Sequence, residues 1–328
     1  MILIFSESSD QHASAVESQL TRRGAIACRL NGDEVHRWSL ECRNNEPVLH
    51  CDGRVISADT IRSVFVRSLP DLSAFHSIAP RDDEIAAFSA SQQFAQFEDC
   101  IRLLSDCVPT INTIAATQRA QSKSLQLRVA CKVGLSVPKT YVGSDPAIAA
   151  ELIKSSRAAG KRACMKPVAS TFLTIEGEKF AGFTDLIEQE ELDHLGSLRD
   201  CPAIIQEYVE KDYELRIAVV GDRSFACRID SQTAGGATAV DWRRYNIPMT
   251  PHSVYNLPKL LEQQLQAFHA EFGLALSSFD FVRNKDGEYV FLETNPFGRW
   301  LWIEDLSGLP ITSAIADALT APATLTIA

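Results

Sequence analysis

Hydrophobic positions in this chain follow two periods. Residues 2–5 and 64–67 are short apolar runs of the kind that become buried strands. Between and after them the spacing lengthens. Residues 13–23 predict a helix that Gly24 ends, and Ile85, Phe88, Phe94, Phe97, Ile101 and Leu104 recur at helical intervals. Residues 108–112 predict a strand and its connection. No G-x-G-x-x-G follows the first strand, so a dinucleotide fingerprint is absent. Residues 1–115 therefore predict a small α/β domain.

Residues 116–205 predict a central subdomain. Residues 117–132 read as one helix with Gly134 as its stop, and residues 137–141 as a short strand. A helix over 145–159 follows, capped by Ser144 or Asp145. A strand over 162–168 leads into a hairpin over 171–183, with Gly177 in its turn. A strand over 204–209 crosses into the last unit, residues 206–328. There, strands over 214–220 and 225–229 are joined by Gly221-Asp222. Leu261, Leu265, Phe268 and Phe272 mark one face of a helix lying on that sheet. A strand pair and a last helix over 311–319 complete it. The stretch from Gly235-Gly236 to Pro251 has the composition of a loop. The fold class expected is α/β and α+β, with an N-terminal α/β domain, a central subdomain, and a C-terminal subdomain built on a mainly antiparallel sheet.

The last strand pair carries the most chemistry. Asp286-Gly287 is a two-residue turn signal, because both central positions of such a turn need positive φ. That turn sets Asp280 directly opposite Glu293 and puts Asn295 on the same face, together with Val282, Tyr289 and Phe291. Two carboxylates that close repel unless a cation or proton lies between them. Hard oxygen donors of this kind suit Mg²⁺ held jointly with phosphates. The alternative is a pair of solvated charges at a strand end. The apolar run Tyr-Val-Phe-Leu and the aromatic tail Phe297-Gly-Arg-Trp-Leu-Trp302 speak against that exposure.

Composition narrows the partners. The formal charge of −10 over 328 residues disfavours nucleic acid, whose phosphates need a basic surface. The nine cysteines are dispersed and form no C-x-x-C pair, so they read as reduced thiols rather than a disulfide frame or zinc site. The apolar start lacks a basic leader and a cleavage site, and no apolar run reaches membrane-spanning length. A cytoplasmic protein without a nucleic-acid or membrane partner is the expectation.

Several polar residues stand out against apolar strands. Lys166 is the one charge in Ala-Cys-Met-Lys-Pro-Val, and it needs an anion or a path to solvent. Glu214, Arg216 and Ala218 share one face of their strand. Glu214 is suited to ribose hydroxyls and Arg216 to a transferring phosphoryl group, or the two form a surface pair. Arg228 on the next strand is a candidate for the same basic face. Arg243, in Asp241-Trp-Arg243, is suited to substrate or phosphate contact, or to anchoring its loop. The segment Gln206, Glu207, Tyr208 and Val209 ends a strand whose backbone could meet an adenine edge.

Taken in order, these residues together with Lys123 and Glu293-Thr-Asn295 resemble the ATP-grasp ligase superfamily over essentially the whole chain. The resemblance implies a pre-ATP-grasp domain followed by two subdomains that grip ATP. It implies that Lys123 and Lys166 touch phosphates, that Gln206–Val209 bind adenine, that Glu214 holds ribose, and that Asp280, Glu293 and Asn295 bind Mg²⁺. A narrower resemblance is to the graspetide synthetases, the microviridin-type peptide maturases. It is carried by Gln206-Glu-Tyr-Val-Glu-Lys-Asp-Tyr-Glu-Leu-Arg216, Asp230-Ser-Gln232, Asp241-Trp-Arg243, Asn295-Pro-Phe-Gly-Arg-Trp-Leu-Trp-Ile-Glu304 and Gly308-Leu-Pro-Ile311. It implies a homodimer that binds the leader and core of a ribosomal precursor peptide, partly through the hairpin at 171–183. It also implies that side-chain carboxylates are activated by ATP and closed into ω-ester or ω-amide rings, with Arg216, Arg228 and Arg243 as the catalytic cations. The alternative is a ligase joining an amino acid or amine to a separate peptide or small-molecule carboxylate. The sequence departs from the family pattern at Arg299, where a glutamine-like residue is expected before the tryptophan.

Overall fold

The computed structural model describes residues 1–43, 46–68, 84–169, 172–175, 178–234, 240–241 and 250–322. The expected N-terminal unit is a parallel sheet in the order Ala27–Asn31, Ile2–Ser6, Ser63–Val66, Thr110–Ile111. Its helix Gln11–Arg22 is capped by Asp10, whose carboxylate accepts the Ala13 N–H at 2.9 Å. Helix Glu84–Ser105 covers the other face through Phe97, Ile101 and Leu104. Ile85 and Phe88 obey the same period, yet they are exposed at 81% and 66%, so the buried stripe begins only further along the helix. A three-stranded antiparallel sheet, Trp38–Arg43, Glu46–Cys51 and Arg54–Ser57, was not foreseen from the sequence pattern.

The single helix expected over 117–132 is two helices, Ile114–Gln121 and Lys123–Lys132. Ser122 breaks it at φ −70°, ψ 107°, and its hydroxyl caps the second helix by accepting the Leu125 N–H at 3.4 Å. The strand expected at 137–141 lies at Thr140–Gly143. It belongs to a four-stranded antiparallel sheet in the order Asp185–Leu186, Ala163–Pro167, Ala203–Glu207, Thr140–Gly143. Helix Pro146–Ala158, capped by Asp145, packs on one face of this sheet through Ala149 and Ile153. Phe172–Ile175 and Glu178–Ala181 form the expected hairpin, while its Gly177 turn lies outside the described residues.

The third unit is a five-stranded antiparallel sheet in the order His252–Tyr255, Arg223–Ile229, Lys211–Val220, Leu276–Asn284, Tyr289–Asn295. Helix Lys259–Phe272 buries Leu261, Leu265, Phe268 and Phe272 against one face, where Leu215, Ile217, Phe279, Phe281 and Phe291 meet it. The opposite face is divided. At one end Ala218, Val220 and Leu276 pack with Trp300 and the last helix, Ile311–Thr320. At the other end stand the polar residues described next. The last helix also joins Val16 and Leu20 in the same core, so the C-terminal region is welded to the N-terminal sheet. Among the described residues, no helix is long and apolar enough to cross a membrane.

Candidate active site

The register of the last strand pair decides where its acids lie. Asp280 does pair with Glu293, and Ser278 with Asn295, as the sequence predicts. The route differs, because two departures from the expected hairpin cancel. The loop has three residues, Lys285-Asp286-Gly287: the Asn284 N–H donates to the Glu288 carbonyl at 3.0 Å, and Gly287 takes φ 84°. That extra residue slips the pairing by one, giving Arg283↔Tyr289 and Phe281↔Phe291. A bulge at Leu292 then restores it before Glu293. The expectation that Tyr289 and Phe291 share the acids' face is therefore corrected. Both lie on the helix-covered face with Phe281, and Val290 pairs with Val282 on the site side.

Rows of residues now cross the sheet on the site face. Arg216 is directly opposite Asp280, which is opposite Glu293. The Arg216 guanidinium reaches Asp280 at 2.6 Å and donates through Nη2 to the Gly298 carbonyl at 2.8 Å. Glu293 accepts from Lys123 at 2.6 Å. The break at Ser122 makes this contact possible, since it puts Lys123 at the start of a helix. From the same helix the buried Gln126 amide holds the strand, donating to the Thr294 carbonyl at 2.9 Å and accepting the Thr294 N–H at 3.0 Å.

Glu214 lies one row away, opposite Val282. Its carboxylate accepts from Lys211 at 2.5 Å, and both side chains are about 95% enclosed, at 6% and 5% exposure. Lys211 also donates to the Val240 carbonyl at 2.7 Å. Burial pushes the Glu214 carboxyl above its ordinary range, with Lys211 the main opposing influence. Sequence reasoning missed Lys211 for a physical reason: strict alternation would turn it away from Glu214. The pairing shifts between Lys211 and Tyr213, and that irregularity returns Lys211 to the site face.

The smaller sheet faces this row. Lys166 and Gln206 share its open face, and Lys166 donates to the Gln206 amide oxygen at 2.7 Å. The Gln206 amide in turn donates to the Thr140 hydroxyl at 2.8 Å. Residues 208–210 link the two sheets. Glu207 and Tyr208 spend their N–H groups on the Lys139 and Arg162 carbonyls, each at 2.9 Å. Lys161 pairs with Glu207 at 2.6 Å. Between the sheets is a narrow cleft of about 70 Å³ lined by Lys166, Gln206–Val209, Lys211, Glu214, Asp280 and Glu293. Val282, expected on the acids' face, also lines it, as do Cys164, Thr184, Asp241 and Leu292, which the sequence does not mark as lining residues.

Two expected cations are not brought to this cleft. Arg228 pairs across the sheet with Leu215, on the helix-covered face. There it stacks on the Tyr213 ring at 3.9 Å and binds Asp230 at 2.6 Å. The strand period carries it there, so the expectation of a shared basic face with Arg216 is corrected. Arg243 and the glycine-bearing loop at 235–236 lie outside the described residues.

The donor groups suit a magnesium nucleotide. Among the described residues no cluster of three or more His, Cys, Asp or Glu could hold a metal ion. The candidate set is two carboxylates and the Asn295 amide, whose oxygen also accepts the Phe297 N–H at 3.0 Å. Such a sparse hard-oxygen set fits Mg²⁺, which takes one or two carboxylates and leaves the remaining positions to phosphate and water. Glu214 Oε2 and Glu207 Oε2 are enclosed without a hydrogen bond of good geometry, though the Ser231 hydroxyl acts on Glu214. Ribose hydroxyls and an adenine amine are donors that would satisfy such acceptors.

No family model matches the chain, and no curated protein matches it. Solved structures do. A RiPP-associated ATP-grasp ligase from Chryseobacterium gregarium, in complex with ADP and a leader and core peptide, superposes with a TM-score of 0.87 at 24% identity, over 100% of this chain and 99% of that one. The macrocyclase MdnC from Microcystis aeruginosa, bound to its precursor peptide MdnA, matches at 26% identity and TM-score 0.82, over 98% of this chain and 100% of that one. This chain has the ATP-grasp fold and is an ATP-dependent ligase. Among ATP-grasp ligases it is similar also to the macrocyclase MdnB from Microcystis aeruginosa, at 28% identity and TM-score 0.73, over 97% of this chain and 98% of that one.

Proposed function

We propose that this ligase is a graspetide synthetase. It activates side-chain carboxylates of a ribosomal precursor peptide with ATP and closes them onto side-chain hydroxyls or amines as ω-ester or ω-amide rings. The supporting observation is the cleft itself. Lys166, Gln206–Val209, Glu214, Asp280 and Glu293 were singled out separately along the sequence, and they line one cavity between two sheets. The macrocyclases MdnB and MdnC, aligned over nearly their whole length, supply the reaction class.

A carboxylate does not condense with an alcohol or amine unaided, because oxide is a poor leaving group. Bound ATP with Mg²⁺ supplies the phosphoryl group that converts it to an acyl phosphate. The protein's part is positioning and charge. In this reading Asp280, Glu293 and Asn295 hold the metal. Glu214, oriented by Lys211, accepts from ribose. Gln206–Val209 line the adenine edge. Lys123, Lys166 and Arg216 are cations already inside or beside the cleft, each resting on a protein acceptor. The sheets must also exclude water, which would hydrolyse the acyl phosphate.

The peptide partner belongs to the same proposal, with the hairpin Phe172–Ile175/Glu178–Ala181 as its candidate leader contact. A homodimer is the expected assembly, and sedimentation velocity would test it. Co-expression with a precursor peptide and mass spectrometry tests the reaction: each ring removes one water. An intact precursor mass, with a folded enzyme that still releases ADP, would refute macrocyclisation. Gain of a second component's mass would instead identify a ligase joining separate molecules.

A further inference from the structure

Beside the metal ligands the chain runs Asn295-Pro-Phe-Gly-Arg-Trp. Arg299 has φ 54°, a left-handed conformation that L-residues rarely adopt. Its neighbours hold it there. Arg216 takes the Gly298 carbonyl at 2.8 Å, and Arg67, from the N-terminal domain, takes the Phe297 carbonyl at 3.1 Å. Trp300 is fully buried and donates its indole N–H to Thr312 at 2.9 Å. The segment cannot relax, yet the Arg299 side chain itself is exposed. It forms no hydrogen bond or ion pair among the described residues.

A second cation lies behind it. Arg67 is 5% exposed, and its Nε makes no hydrogen bond, with Asp10 at the longer ion-pair distance of 3.4 Å. Its guanidinium lies 5.4 Å from the Trp300 ring centre. The His12 ring meets Trp300 edge-on at 4.5 Å, and its Nδ1 is likewise enclosed and unpartnered. Arg67 and Arg299 both act electrostatically on His12, where Asp10 opposes them, and Glu7 and Asp10 both act on Arg67. Strain retained around an unused guanidinium, backed by an under-satisfied buried one, marks a place that waits for an anion.

We propose that Arg299, backed by Arg67, is a specificity-determining contact that takes an acidic side chain of the peptide substrate beside the metal ligands. This rests on the peptide-ligase reading and deepens it by naming a contact to the substrate. A guanidinium gives a carboxylate two parallel charge-assisted hydrogen bonds, whereas an amide offers one neutral donor group.

The test uses two capped dipeptides, acetyl-Glu-Glu-amide and acetyl-Gln-Gln-amide, added to the ADP·Mg²⁺-saturated enzyme. The His12 imidazole NMR signal, assigned by its loss in His12→Asn, reports occupancy. The acidic peptide should shift it saturably and the neutral one should not. Arg299→Gln should weaken the acidic peptide roughly tenfold or more, and Arg299→Lys should keep most of the affinity. Both variants should retain the circular dichroism spectrum and ADP affinity of the parent. No shift, equal response to the two peptides, or unchanged affinity in Arg299→Gln overturns the proposal. So does a variant that weakens a non-hydrolysable ATP analogue but not the acidic peptide, which would assign the guanidinium to phosphate. Failure of the parent enzyme to bind ADP would strike at the ligase reading instead, and the dipeptide response would still decide this one.

Discussion

Replacing Lys211 by methionine isolates one buried charge pair. Lys211 and Glu214 meet at 2.5 Å with about 5% of each side chain exposed, so water cannot take over when one partner is lost. Breaking such a pair costs about 3–5 kcal/mol, because the remaining charge is stranded. Glu214 has a way out, since it can bind a proton. Its carboxyl is already raised by burial, and without the ammonium it rises further. The folded variant then holds a proton that the unfolded chain releases near its ordinary pKa. Between those two values the folded state binds more protons, so its stability falls as pH rises. Urea unfolding followed by circular dichroism should show Lys211→Met losing about 3 kcal/mol at pH 8 and clearly less at pH 5. Adding Glu214→Gln removes the stranded charge, and the double-mutant cycle should return a coupling of about 3 kcal/mol. A coupling below about 0.5 kcal/mol, or a loss independent of pH, would show that the pair is not the enclosed, mutually dependent unit described.

Glu293→Gln should leave the fold intact and abolish ADP formation; undiminished turnover in a coupled ADP assay would remove Glu293 from the metal site. Lys166→Ala should weaken ATP binding by roughly 10–100-fold, the worth of a charge-assisted hydrogen bond of about 1.5–3 kcal/mol, and calorimetry with a non-hydrolysable analogue reads this directly. Gln126→Ala strands the buried Thr294 N–H and carbonyl, so a loss of about 1–3 kcal/mol in urea unfolding is expected, and a neutral result would show the clamp to be idle. His269 is fully buried, and burial lowers its pKa to about 3, so it stays neutral while the unfolded chain protonates near 6.5. Stability should therefore drop as pH falls below about 6.5, by about 2.7 kcal/mol at pH 4.5 from this group, and His269→Gln should flatten that part of the profile.

The cleft's acids were legible because a turn signal and a strand period together specify which side chains face each other. The agreement at Asp280 and Glu293 was partly fortunate: a three-residue loop and the bulge at Leu292 shift the register in opposite senses. The price of that cancellation was the misplacement of Tyr289 and Phe291. Irregular backbone hid Lys211 in the same manner, since period-two reasoning has no symbol for an extra residue. Arg228 shows the converse: alternation places it beside Leu215, away from Arg216, although a cation on the next strand suits the same basic face. The break at Ser122 was readable in principle, as a serine can cap the helix that follows it, yet residues 117–132 read as one helix up to Gly134.

The docking of Ile311–Thr320 beside Gln11–Arg22 has a mechanical corollary. Arg23 binds Asp317 at 3.0 Å, and the Ser63 hydroxyl binds the Leu319 carbonyl at 2.8 Å, so the first and last units are bolted together. Residues 140–207 hang from this frame by two short spans, 133–139 and 208–210. The acids Asp280 and Glu293 therefore stand on the bolted frame, whereas Lys166 stands on the sheet that those two spans carry.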